Sequence, residues 1–316
     1  MGDAGENESK ATKGTRYSAE EIYENVHEAA DEELKRPAAE LAWSAIASGM
    51  LISFSFLAVA FLTPHFPPSM HAVAAAIAYP LGFIFVVLAR HQLFTENTLE
   101  PVIPLLEDRS METLKRVLRL WGIVLPLNLL GALMFALVLA HTRVVDEEMR
   151  TPLLDVARTA TGGGFGLVLY RGIWAGWLVA LMAWLMGSTR EAIAQIALVW
   201  LSTAPIAAFG FKHSIAGATE AFYRAAVGDA SWIRMLWDFE VPALLGNIIG
   251  GVVLVALVNH GQVGGAGGGG DTSSSASQDR PAEEQPGGHQ GTGGAPGNAR
   301  GSGDGGSASR RRLSSR

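Results

Sequence analysis

Ala208-Phe209-Gly210-Phe211-Lys212-His213-Ser214-Ile215-Ala216-Gly217 is the middle of a hydrophobic segment running from Ala192 to Val227, and how it is read decides the fold. The residues from Ala192 to Phe211 carry no charge, and about twenty apolar residues suffice to cross a hydrocarbon core of about 30 Å as a single helix. Gly210 and the pair Lys212-His213 interrupt that pattern. An ionisable side chain in a membrane-spanning region costs roughly 2.5 to 3.5 kcal/mol even on lenient insertion scales, so it normally faces a partner, a cavity or a pathway. On hydropathy alone two readings stand: Ala192 to Phe211 spans by itself with Lys212 and His213 surfacing at its end, or the helix breaks inside the membrane.

A second stretch favours the break. Ala78 to Phe94 is also apolar, is interrupted in Ala89-Arg90-His91-Gln92-Leu93-Phe94-Thr95-Glu96-Asn97-Thr98, and resumes as Leu99 to Leu106. Interrupted segments at corresponding places in two halves point to a transporter built from internal repeats, with its site near the midplane. Asn128-Leu129-Leu130-Gly131-Ala132 lies 119 positions before Asn247-Ile248-Ile249-Gly250-Gly251, and His141 lies the same distance before His260. The same offset carries Phe94 onto His213 and Thr95 onto Ser214. Two broken helices, each followed by a helix bearing Asn-x-x-Gly-small, read as one duplicated three-helix unit.

Composition agrees. Of 316 residues, 49% are hydrophobic, the mean hydropathy is positive, and the apolar residues lie in long runs, which marks an integral membrane protein. The formal charge of −6 comes mostly from termini and loops, and with no basic stripe it argues against a nucleic-acid partner. Cysteine is absent, which excludes a disulfide framework, a thiolate metal site and a thiol nucleophile. No cofactor is called for. The first residues have no apolar core of a secretory signal peptide.

In chain order, residues 1–37 form a polar N-terminal segment. Ser18 followed by Glu21 reads as a capping box opening a helix to about Lys35, with Ile22, Val26 and Ala29 on one face. That face is either solvated, or lies along the membrane surface or against another subunit. Residues 38–260 hold the spans: Leu41 to Leu62, Ala72 to Phe94, Trp121 to Ala140, Gly162 to Gly187 interrupted by Arg171, the broken fifth, and Val241 to Val258. Arg109, Lys115, Arg116 and Arg119 read as an aqueous loop, and Arg143 to Thr161 as an amphipathic connection. Residues 261–316, rich in Gly and Ser, cannot bury enough apolar surface to fold; their closing Arg310-Arg311-Arg312 reads as a solvated end. Six spans place both termini on one side, and the bias of Lys and Arg near span ends puts that side in the cytoplasm.

A small monovalent anion must lose water to cross a hydrophobic constriction. A protein helps by supplying hydrogen-bond donors, or a proton that makes the permeant neutral. Histidine does both, because its unperturbed pKa of about 6.5 lies near cellular pH. His213, with no carboxylate between Glu191 and Glu220, is the candidate. Arg90 and Lys212 bring positive charge to the two breaks and are candidate anion-attracting groups.

Leu93-Phe94-Thr95-x-Asn97, Gly172-Ile173-x-x-x-Trp177-Leu178-Val179, Gly210-Phe211-x-His213-Ser214 and Gly246-Asn247-Ile248-Ile249-Gly250-Gly251, in this order, resemble the hallmark segments of the formate/nitrite transporter family over about Ala38 to His260. The resemblance implies an all-α integral membrane protein of six helices in an inverted three-plus-three repeat, the second and fifth broken, with an aquaporin-like architecture. It implies a homopentamer in a plasma or inner membrane, embedded in lipid, passing formate-like, nitrite-like or hydrosulfide-like anions, with or without protons, through a pore in each protomer. It places His213 at the central pore histidine and Thr95 at the threonine facing it. By position against the motifs, Phe83 and Ile206 correspond to the outer constriction and Leu93 and Val179 to the inner one. The sequence departs from the pattern in four places. Gly176 stands where Asn usually precedes Trp-Leu-Val, which would remove a polar group near the pore. The lysine expected ahead of the fourth span has no counterpart except the nearby Arg158. Glu96 replaces a small residue, and Arg171 is an extra intramembrane cation.

An aquaporin-like channel for water or neutral solutes is the alternative, but the Asn-Pro-Ala box is missing at both breaks. An intramembrane enzyme is disfavoured: His213 and Ser214 are adjacent, no Gly-x-Ser-x-Gly elbow occurs and no His-Glu-x-x-His pair exists.

Overall fold

Ser18 closes the capping box read from the sequence. Its hydroxyl accepts the Glu21 N–H at 3.2 Å and its own N–H donates to Glu21 Oε2 at 2.7 Å, starting α1 at Ala19–Lys35. This computed structural model describes residues 17–258. The polar start, His260, the domain boundary at 260 and the Gly/Ser-rich tail lie outside the described residues.

The rest of the described chain is helical, with no strand. After α1 come α2 (Ala38–Ile52) and α3 (Phe54–Leu62), then α4 (His71–Ala78) and α5 (Pro80–Leu88). Beyond the first break lie α6 (Val102–Asp108), the long α7 (Met111–His141), α8 (Arg150–Thr161) and α9 (Phe165–Met186). Next are α10 (Ala192–Ala208), the second break, α11 (Ser214–Ala226), α12 (Trp232–Met235) and α13 (Val241–Gly251). The π-helical stretches Leu236–Glu240 and Val252–Leu257 flank α13 and make a continuous helical run with it. Among the described residues, Ala38–His65, Pro68–Leu88, Met111–His141 and Phe165–Met186 are long and apolar enough to cross a membrane, and Ala192–Ala208 is apolar but shorter.

Three expectations need correction. Lys115, Arg116 and Arg119 are not in a loop. They sit on the first turns of α7, which starts at Met111 with Ser110 accepting the Thr113 N–H at 3.0 Å. A helix that projects beyond the apolar slab carries charge there without ceasing to be a helix. Secondly, α1 lies against its own protomer. Its buried residues are Tyr23, Val26, Ala30 and Leu34, a face displaced from Ile22, Val26 and Ala29. Tyr23 and Val26 pack with Leu99, Ile103, Ala180 and Trp184, and Asn25 Nδ2 donates to Gly187 O at 3.0 Å. Thirdly, Gly176 leaves no room for the asparagine that usually stands there. A Cβ there would overlap the backbone of Asn247, so the position is a close helix crossing that admits no side chain. Gly49 meets the backbone of Asn128 in the same way, and such small residues are what let membrane helices approach closely.

Candidate functional site

Both breaks are built by one device. In the first, Ala89 N–H donates to Phe85 O, Arg90 N–H to Val87 O and His91 N–H to Val86 O. In the second, Phe209 N–H donates to Pro205 O, Gly210 N–H to Ala207 O and Phe211 N–H to Ile206 O. Each is a helix ending in a left-handed residue with a 6→1 hydrogen bond; that residue is Arg90, φ 55°, in one and Gly210, φ 66°, in the other.

An asparagine then pins each broken backbone. Asn128 Oδ1 accepts the Phe94 N–H at 2.9 Å, and its Nδ2 donates to Ala45 O at 2.8 Å and Gln92 O at 2.9 Å. Asn247 Oδ1 accepts the Ser214 N–H at 2.8 Å, and its Nδ2 donates to Gly172 O at 2.8 Å and Lys212 O at 2.9 Å. Unpaired backbone groups are not tolerated where water is absent, and these side chains satisfy three each. The bonding also corrects the register of the repeat. Phe94 corresponds to Ser214 and Leu93 to His213, an offset of 120 at the breaks against 119 at the asparagines.

His213 is the residue immediately before α11, and its Nδ1 accepts the Ala216 N–H at 3.1 Å. A neutral ring fixed this way carries its proton on Nε2. Nε2 lies 2.8 Å from Thr95 Oγ1, so the ring donates to the threonine and leaves the hydroxyl proton free for another acceptor. The Phe83 ring stands edge-on to the imidazole, centroids 5.0 Å apart. Phe83, Leu93, Val179 and Ile206 all belong to one buried apolar cluster and are at most 1% exposed.

A cavity approaches this cluster from each end. One, of about 710 Å³, is bordered by α8 and reaches His213 and Ile206. The other, of about 650 Å³, is bordered by α1 and reaches Gln92 and Glu96. Phe83, Leu93 and Val179 border neither. The two candidate anion-attracting cations differ in setting. Arg90 is exposed in the α1-side cavity, within electrostatic reach of Glu33 and Glu100. Lys212 is 3% exposed, and its Nζ donates to Thr159 O at 3.2 Å and to Ala160 O in the last turn of α8. Sequence reasoning missed the acidic surroundings of Arg90, because Glu33 comes from α1 and no local pattern links the two. Arg158 does not stand in for a pore lysine: it pairs with Asp229, which also binds Arg224 Nε at 2.7 Å. Among the described residues no cluster of His, Asp and Glu could hold a metal ion.

The fold and sequence have relatives. An Inner membrane protein YfdC of Escherichia coli (strain K12) is 32% identical over 247 residues, 77% of this chain and 78% of that protein. Formate channel FocA of Escherichia coli (strain K12) is 28% identical over 239 residues, covering 67% of this chain and 82% of that one. A solved structure described as a pentameric formate channel with formate bound superposes with a TM-score of 0.61 at 23% identity, over 70% of this chain and 95% of that one. The family described as formate/nitrite transporter matches residues 20–261. The chain therefore belongs to the formate/nitrite transporter family, a family of membrane channels and transporters.

Proposed function

We propose that this chain conducts small monovalent anions of the formate, nitrite and hydrosulfide class, as a channel or together with protons, along a path through each protomer of a homopentamer. The observation that carries the reading is the Thr95–His213 hydrogen bond, buried between two cavities and flanked by apolar side chains. Phe83 and Ile206 narrow the path beside the histidine, which the α8-side cavity reaches, and Leu93 and Val179 close it on the α1 side. Between the histidine and the α1-side cavity an anion meets side chains that cannot replace its hydration, and burying an unpaired charge is prohibitive. At the waist the permeant accepts the Thr95 hydroxyl proton, while the hydroxyl is held by the His213 Nε2–H. When Nδ1 takes up a proton from the α8-side cavity in place of the Ala216 N–H bond, the imidazolium passes its Nε2 proton through the Thr95 hydroxyl to the anion, leaving a neutral ring and a neutral acid able to pass the apolar residues. The same acid releases its proton on the far side. The pentamer follows from the kinship with a pentameric formate channel.

The test is anion flux in liposomes at matched protein density between about pH 5 and 8. His213→Asn keeps a polar side chain of similar size but removes the ring that passes the proton, so flux persists and its pH dependence flattens. His213→Phe closes the polar waist and lowers flux for every anion. Thr95→Val removes one hydroxyl at nearly constant volume and weakens conduction without loss of the folded oligomer. An unchanged pH profile in His213→Asn makes His213 a structural cap only, and refutes the mechanism.

A further inference from the structure

Arg171 is the cation that the proposed path leaves unexplained. It sits inside the apolar helix α9, borders the α8-side cavity and is partly buried. Its carbonyl accepts the Lys212 N–H at 3.3 Å, and its Nη1 lies 3.6 Å from where a Cβ on Gly210 would be. Its guanidinium has no hydrogen bond or ion pair among the described residues, whereas Arg36, Arg158, Arg224 and Arg234 all have carboxylate partners. Lys212, which is close enough to feel the Arg171 charge, is matched by two α8 carbonyls and by the electrostatic attraction of buried Glu220. The remaining carboxylate bordering the cavity, Asp155, is exposed to solvent, where its field is screened. The inner end of the cavity therefore keeps one uncompensated guanidinium.

A charge in such a segment normally has a partner, and a guanidinium fork matches a planar carboxylate through two parallel hydrogen bonds. The cavity gives the size of that partner. About 710 Å³ is within the range of sites for organic ligands of drug size, far more than an anion of three or four heavy atoms fills. Tyr79, Phe209, Phe211 and Phe239 border it, and Phe211 is backed by a stacked Trp174, interplanar angle 20°. We propose that the α8-side cavity binds an organic monocarboxylate with an aromatic or other apolar body, its carboxylate on Arg171 and its body against the phenylalanines. A ligand seated there lies over Ile206 and His213 and blocks the path. The binding itself does not depend on which small anion passes; only the block rests on the proposed function.

Phenylacetate is the probe and phenylacetamide its neutral isostere. Calorimetric titration of the full-length protein in detergent should show phenylacetate binding, much weaker phenylacetamide binding, and loss of about ten- to a hundredfold in phenylacetate affinity in Arg171→Gln. Arg171→Lys keeps the charge without the fork, should fall between the two, and decides the matter if Arg171→Gln does not assemble. Phenylacetate on the α8 side should also inhibit formate flux in the wild type. Equal phenylacetate affinity in wild type and the Arg171 variants, or equal binding of phenylacetamide, overturns the site. Binding that depends on Arg171 in a protein that moves no small anion upholds the site and counts against the transport reading instead.

Discussion

Arg90 and Gly210 hold the same backbone position in the two breaks, with φ 55° and 66°, yet only one is glycine. The sequence therefore shows the second break plainly and the first poorly: Gly210 is a recognised helix stop, while an arginine gives no turn signal. The break and the asparagine are 38 positions apart in the first half and 37 in the second, and with no glycine at position 90 to count from that one-residue slip is hidden in the sequence. The physical consequence is testable. A side chain in the left-handed region costs roughly 1–2 kcal/mol, and glycine relieves it at an entropic cost of about 0.5–1 kcal/mol. Arg90→Gly should thus change stability in detergent by no more than about 1.5 kcal/mol, whereas a β-branched side chain in Gly210→Val should cost about 2 kcal/mol or more. Thermal or denaturant unfolding ranks the two. A larger loss in Arg90→Gly would mean that the arginine's charge near Glu33 and Glu100 holds the break, not its backbone.

Among the elements, α1 and α8 show where sequence reading stops. The start of α1 was legible because a capping box is local, satisfied within four residues. Its docking was not, since Tyr23 finds Trp184 more than 160 positions away, ring centroids 6.2 Å apart. The α8 connection was legible as amphipathic, but its tie to the loop after α11 was not. There Asp229 accepts from Arg158 and from Arg224, and Arg224 also donates to Thr161 Oγ1 at 2.9 Å. The hydrogen bond from Arg158, then that from Arg224, holds the Asp229 carboxyl below its ordinary pKa. A depressed carboxylate stabilises the fold fully above its unfolded pKa of about 3.9, and the contribution is lost as pH falls through the lower folded value. Asp229→Asn should therefore lower the melting temperature in detergent at pH 7, with the gap to wild type closing as the pH is taken below about 4. A gap that stays constant down to pH 3 would mean that the asparagine perturbs the loop for reasons other than charge.

At the scale of the molecule, the two halves share a plan while differing in spacing. The first long helix of each half corresponds at an offset of 127 (Gly49 with Gly176), the break at 120 (Arg90 with Gly210), and the asparagine-bearing helix at 119 (Asn128 with Asn247). Hydropathy located the four long apolar helices and the shorter Ala192–Ala208, and two asparagines pointed to the repeat, because a polar residue in an apolar helix is rare enough to count from. The unequal connections hid the rest. If each half contributes three spans, the second half is inverted relative to the first, both termini lie on one side, and α8 with the 227–231 loop lies on the other. The chain has no cysteine, so single cysteines report without background. Ser9→Cys and Ser309→Cys should both be shielded from a membrane-impermeant thiol reagent in intact cells and become reactive after permeabilisation. Glu147→Cys, an exposed position just before α8, should label in intact cells. Labelling of only one terminus would require an odd number of spans and would dissolve the inverted repeat. Labelling of both termini with Glu147→Cys shielded would keep six spans but reverse their orientation, placing the α8-side cavity and Arg171 toward the cytoplasm.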